Sequence, residues 1–248
     1  MSTELFAGGV LKSKRILITG GGGGLGREIA QAFAKAGADV HISGRRAELL
    51  DKSADEIRKD TGANVFGHVC DVRDPDSIDA MMADIWTHGP LTGLVNNAAA
   101  NFIAPTKSLS PRAYRAIAST VMDGSFYATL AAGKRWIDEG IKGSVVSNLV
   151  TWVWTGSAYV VPSAMAKSAI HAMTMSLAVE WGQYGIRLNA IAPGPFPTPG
   201  AWEKLNPIPE AASTATGTET VPMGRYGDIA ELQNLHVFLQ SDGCAYLT

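Results

Sequence analysis

Five consecutive glycines give this chain its clearest chemical signal. They sit in Lys14-Arg-Ile-Leu-Ile-Thr-Gly-Gly-Gly-Gly-Gly-Leu-Gly26. The apolar, β-branched run Ile16–Thr19 reads as a buried strand, and Arg27–Lys35 reads as an amphipathic helix. A strand, a glycine turn and a helix build a site for a dinucleotide pyrophosphate. Glycine lets the backbone approach the phosphates closely. The free N–H groups and positive dipole end of the helix then face the negative charge. Two registers fit, Gly21-x-Gly23-x-x-Gly26 and Thr19-Gly20-x-x-x-Gly24-x-Gly26. The second is preferred, because Thr19 ends the strand and Leu25 opens the helix. Gly20, Gly22, Gly23, Gly24, Leu25 and Gly26 are therefore candidate cofactor contacts.

The second strand shows which dinucleotide fits. An acid at its end would bind the ribose hydroxyls of NAD. Here the strand ends Val40-His-Ile-Ser-Gly-Arg-Arg46, and Asp39 stands at the wrong end. Arg45 or Arg46 can grip a 2′-phosphate with fork geometry, so NADP(H) is the expected cofactor. Asp71, at the end of the third strand, could accept from the adenine amino group or cap the next helix.

These residues need a scaffold that brings strand ends together. Strand-like runs occur at Arg15–Thr19, Asp39–Ser43, Asn64–Cys70, Gly93–Asn96, Gly143–Leu149 and Arg187–Ile191. Helical stretches lie between them near 25–36, 46–60, 75–87, 111–138 and 161–184. Such alternation predicts an α/β fold, a Rossmann-type doubly wound parallel sheet, with the ligand beyond the C-terminal strand ends. All 248 residues suit a single domain, 1–248, with no charge block or low-complexity linker to divide it. The Pro-, Thr-, Ala- and Gly-rich stretch from Gly194 to Gly227 has no clear period, and a substrate lid is expected at 195–226.

Composition narrows the function. A net charge of −2 gives no electrostatic case for nucleic acid or an acidic membrane surface. The apolar runs are too short to span a bilayer, and the first residues do not resemble a secretion signal. Two cysteines, Cys70 and Cys244, give no disulfide framework, and the five histidines show no metal-ligand spacing. A cytoplasmic location and no metal are expected.

Thr19-Gly20…Gly24-Leu-Gly26, Cys70-Asp-Val72, Asn96-Asn-Ala-Ala99, Arg187-Leu-Asn189 and Pro193-Gly-Pro-Phe196 follow one another at fixed distances. Together they resemble the short-chain dehydrogenase/reductase superfamily over almost the whole chain. The resemblance implies cofactor contacts at Val72, Asn97, Pro193, Gly194 and Phe196, and at Lys167, which would hold the nicotinamide ribose. It also implies a homo-oligomer, a dimer or tetramer, through the long helices near 111–138 and 161–184. Most members carry Tyr four residues before that lysine, Ser thirteen before the Tyr, and a helix asparagine. Here Ser163, Val150 and Val121 occupy those places.

Ketone reduction needs a proton on oxygen as hydride arrives at carbon, and a phenol can supply it where a serine hydroxyl cannot. Conjugate reduction of a thioester needs only donors aimed at an enolate oxygen. Val160-Val-Pro-Ser-Ala-Met-Ala-Lys167, Ala98-Ala-Ala-Asn-Phe-Ile103 and Leu177-Ala-Val-Glu-Trp-Gly182 resemble the NADPH-dependent 2,4-dienoyl-CoA reductases of fatty acid metabolism. That resemblance implies an acyl-CoA substrate. Asn101 would be the donor to the thioester oxygen and Ser163 would lie beside the substrate. Arg73 and Lys204 would contact CoA, and Phe102 and Ser110 would contact the acyl chain or CoA. The mitochondrial-type reductases carry Tyr eleven residues before the Ser, where this chain has Trp152. An indole N–H donates but is not acidic. Trp152 is read as substrate contact or pocket wall. Two alternatives stay open: a general NADP(H)-dependent carbonyl reductase using another acid such as Tyr159, and an NADPH-binding protein without catalysis.

Overall fold

The computed structural model describes residues 6, 8–101, 103–198 and 221–248. Six strands form one parallel sheet: β1 (Arg15–Thr19), β2 (Asp39–Gly44), β3 (Val65–Val69), β4 (Gly93–Asn96), β5 (Ser144–Asn148) and β6 (Arg187–Ile191). Their order across the sheet is β3-β2-β1-β4-β5-β6. The order reverses between β1 and β4, which opens a crevice at their C-terminal ends. The doubly wound fold expected from the alternating pattern is the one observed.

Alternate residues of each strand face opposite layers. Ile16, Ile18, Val40, Ile42 and Val146 pack with Ile29 and Phe33 of α1 (Gly24–Lys35) and Leu50 and Ile57 of α2 (Ala47–Thr61). Leu17, Leu94, Val145 and Leu188 face the other way. They meet Met82 and Ile85 of α3 (Pro75–Thr87), Trp136 of α5 (Gly124–Glu139) and Trp181 of α7 (Val161–Trp181). Cys70 is a buried free thiol whose pKa burial raises.

The expected helix over 111–138 is divided. α4 (Pro111–Ala118) and α5 are joined by a wide π turn at Ser119–Asp123. Hydroxyls explain the break. Ser119 Oγ, Thr120 Oγ1 and Ser125 Oγ donate to the carbonyls of Arg115, Ala116 and Val121 at 2.7, 2.9 and 2.7 Å. Such back-bonding competes with the regular helical ladder. Val121 of this turn is fully buried against Leu149, Ala166 and Ile170, so packing fills the place of the family's helix asparagine.

Two helices were not read from the pattern: α6 (Trp152–Thr155) and α8 (Ile229–Gln240). α8 begins with a capping box in which Asp228 and Glu231 satisfy each other's backbone N–H groups. It packs against α1 and β5.

One buried polar cluster stands out. His41 of β2 and His68 of β3 meet at 2.7 Å, and Asp84 of α3 holds the other His68 nitrogen at 3.0 Å. Burial lowers the His41 pKa to about 3 and lowers that of His68 despite Asp84. No helix among the described residues is long and apolar enough to cross a membrane.

Candidate active site

The glycine turn lies between β1 and α1. Gly20 and Gly24 have φ of +68° and +53°, left-handed conformations that a side chain disfavours. Gly26 is needed for space. A Cβ there would lie 2.4 Å from the Gly20 carbonyl oxygen and 2.5 Å from Asn97 Nδ2. These three positions match the preferred register. The start of α1 carries no side-chain cap at Gly23 and no acid in its first turn, so its positive end is uncompensated. An uncapped helix start behind a side-chain-free turn fits a dinucleotide phosphate. Gly26→Ala is expected to weaken reduced-cofactor binding by about 100-fold or more, because backbone and Asn97 must both move. Fluorescence titration checks this, and an unchanged affinity would remove the turn from the site.

Asn97 supports the turn from within. Its Nδ2 donates to the Thr19 and Gly20 carbonyls at 3.0 and 3.3 Å. Thr19 Oγ1 accepts from the N–H groups of Asn97 and Ala98, both at 3.0 Å, and donates to the Val95 carbonyl at 3.3 Å. Asn97 Oδ1 accepts from Asn148 Nδ2 at 3.1 Å. The main-chain carbonyl of Asn148 in turn accepts from the Lys167 ammonium. Lys167 is thereby tied to the glycine turn through two asparagines. Burial lowers its pKa to about 8. Ser163 is buried one helical turn earlier on the same face of α7.

Asn101 follows β4 in the loop that leads toward α4. Its Oδ1 is buried without a hydrogen-bond partner. The loop is tied down where Ala104 N donates to the Tyr159 carbonyl at 3.1 Å. Tyr159 itself has a left-handed φ of +67° and an exposed ring. Trp152 is half-buried at the first position of α6.

The remaining candidates divide. Arg45 and Arg46 are exposed at the end of β2, where α2 begins, and neither forms an ion pair among the described residues. Arg73 and Asp71 were expected to face different ligands, yet they pair with each other at 2.5 Å. That pairing lowers the Asp71 pKa. Val72 packs on Gly124, where a Cβ would lie 2.7 Å from Val72 Cγ2. Ser110 Oγ caps α4 by accepting from Ala113 N at 3.1 Å, so its hydroxyl serves the helix. Pro193, Gly194 and Phe196 follow β6, and Phe196 packs against the core under α1. Gly227 N donates to the Pro195 carbonyl at 3.1 Å, which joins the two ends of the expected lid. Phe102, Lys204 and most of 195–226 lie outside the described residues.

Comparison with known proteins agrees with this geometry. A family model described as enoyl-(acyl carrier protein) reductase matches residues 21–248. A crystal structure of a short chain dehydrogenase from Bacillus anthracis superposes with a TM-score of 0.84 at 40% identity, covering 95% of this chain and 92% of that one. The chain belongs to the short-chain dehydrogenase/reductase family. Within that family it lies near a Caenorhabditis elegans protein named a probable 2,4-dienoyl-CoA reductase 3, at 39% identity over 99% of this chain and 80% of that one. A Bacillus subtilis protein named a probable 2,4-dienoyl-CoA reductase is 38% identical over 96% of this chain and 93% of that one. As a short-chain dehydrogenase/reductase the chain is an oxidoreductase, and its fold implies a nicotinamide cofactor.

Two residues beside these candidates carry no motif of their own in the sequence. Asn148 ends β5, and the polar end of an apolar strand was the available signal. His236 of α8 meets Asn148 Oδ1 at 2.9 Å. The capping box at Asp228 would have revealed its helix, though not its partner.

Proposed function

We propose that this protein is an NADPH-dependent reductase of conjugated acyl-CoA thioesters, of the 2,4-dienoyl-CoA reductase type. The observation that carries the reading is Ser163 buried one turn before Lys167, where a carbonyl reductase would hold its phenol. Val121, packed in the core, and Tyr159, exposed to solvent, support it, because neither offers a proton to a ketone oxygen. The named relatives in Caenorhabditis elegans and Bacillus subtilis support it as well.

The glycine turn and the start of α1 hold the pyrophosphate, Arg45 and Arg46 take the 2′-phosphate, and Lys167 holds the nicotinamide ribose. When bound, reduced nicotinamide supplies hydride. Asn101 and the Trp152 indole N–H would donate to the thioester oxygen and so stabilise the negative charge that develops there. Water then protonates carbon, so that one C=C becomes two C–H bonds. The exposed apolar residues Phe126, Met165, Met175 and Val179 on α5 and α7 support a homo-oligomer through those helices.

The purified protein is expected to oxidise NADPH with a 2,4-dienoyl-CoA and to leave simple ketones untouched. Replacing Arg45 and Arg46 together by Ala should lower the preference for NADPH over NADH by about 10- to 100-fold, through loss of the fork contacts. Turnover of ketones with no turnover of dienoyl thioesters would reverse the assignment.

A further inference from the structure

The geometry points to His236, on a helix outside the candidate catalytic set, as a positioning residue that fixes both the Lys167 anchor and the cofactor turn. The inference rests on the reading of the glycine turn and Lys167 as the cofactor site.

Hydrogen-bond accounting carries the argument. Asn97 has two carbonyls, those of Thr19 and Gly20, at 3.0 and 3.3 Å from one end of its amide. That end must be the NH2 group, so its oxygen faces Asn148. Asn148 therefore donates to it, at 3.1 Å, and turns its own oxygen toward α8. His236 Nε2 lies 2.9 Å from that oxygen and must carry the proton. The donors thus run one way, from His236 to Asn148 to Asn97 to the Gly20 carbonyl. The Asn148 backbone, held in place by this side chain, presents the carbonyl that accepts from Lys167.

The other His236 nitrogen, Nδ1, lies 2.9 Å from the Leu232 carbonyl, one turn back on its own helix. With the proton on Nε2 alone, Nδ1 would face that carbonyl with a lone pair, so both ring nitrogens meet acceptors. The ring is fully buried, and burial lowers its pKa to about 4 while the Leu232 carbonyl pulls it upward. The asparagine chain fixes the proton on Nε2, and the position of Asn148 depends on it in return.

Without the Nε2 proton, the Asn148 oxygen becomes a buried acceptor with no donor, and its amide is free to swing. Asn97 then loses its partner, and the Gly20 carbonyl and the Lys167 anchor loosen together. His236→Leu keeps an apolar body and removes the donor. His236→Gln keeps a donor near the Nε2 position.

Reduced-cofactor affinity, read by NADPH fluorescence titration, is the test, because it needs no thioester turnover. A missing dienoyl-CoA reaction would count against the proposed activity and leave this measurement standing. His236→Leu is expected to bind NADPH about tenfold more weakly, the loss of one buried hydrogen bond. His236→Gln should recover to within about twofold of the unaltered protein. Leu and Gln variants weakened equally, or a Leu variant that binds normally, would overturn the inference. If the Leu variant does not fold, the imidazole nitrogen signals of the unaltered protein decide. They should show the Nε2–H form and shift when NADPH is added, and any other tautomer or an unmoved signal would overturn it.

Discussion

Lys167→Met is expected to lower turnover of a 2,4-dienoyl-CoA by about 10²–10³ while leaving the fold at least as stable. Lys167 is buried and its ammonium donates to the Asn148 carbonyl, so its charge is barely compensated in the absence of cofactor. Methionine fills a similar volume without a charge to desolvate. The thermal midpoint should hold or rise, because removing an isolated buried charge relieves its cost. Turnover should fall by about 10²–10³, the loss typical when a fixed donor is removed from a reacting centre. Steady-state rates and thermal melts on the same preparation check both halves. A variant within about threefold of the parent rate would take Lys167 out of the site.

The same lysine sets a pH signature. Burial lowers its pKa to about 8 from an ordinary 10.5. The unfolded chain keeps this proton up to the ordinary value, and the folded chain releases it near 8. Between those values the unfolded state binds more protons, so this group's contribution to stability rises with pH. On the proposed role of Lys167, activity should move in the opposite direction, because the ammonium would be the form that donates to the ribose. Rate falls above about pH 8 as stability gains, and Lys167→Met should abolish both slopes.

The parts of the fold that follow from local pattern were legible in the sequence. β1, β4 and β6 have the bounds that the apolar runs predict, because buried parallel strands are short apolar blocks bounded by turns. The glycine register was legible too, since positive φ and close approach leave few choices of residue at Gly20, Gly24 and Gly26. The divided helix was not. A π turn changes the hydrogen-bond count without changing the apolar spacing around Ile117 and Val121. α8 was hidden because apolar residues occur on several of its faces, so its strongest local signal was the Asp228 and Glu231 cap. The pairing of Arg73 with Asp71, two residues apart, was not expected from the strand-end pattern. The Asn148–His236 contact spans 88 residues and depends on how α8 packs on β5, which no local spacing encodes.

Trp152→Tyr carries the second large effect, in the direction of gain. Trp152 opens α6 just beyond the end of β5, whose last residue, Asn148, presents its carbonyl to Lys167. The buried Asn101 oxygen has no hydrogen-bond partner among the described residues, which leaves its amide as the other candidate donor. If indole and amide share the thioester oxygen, Trp152 supplies a hydrogen bond and no proton. A phenol there donates equally well and, with a pKa of about 10, also offers a proton that indole does not. Trp152→Tyr should therefore raise kcat for a 2,4-dienoyl-CoA by about tenfold, within the range for a positioned acid. Trp152→Phe, which removes the donor and keeps an aromatic wall, should lower it by about 10- to 100-fold. The order Tyr above Trp above Phe is the signature of a donor acting on a developing oxyanion. A Phe variant as fast as the parent would show that the indole only lines the pocket, and Asn101 would then hold the thioester oxygen alone.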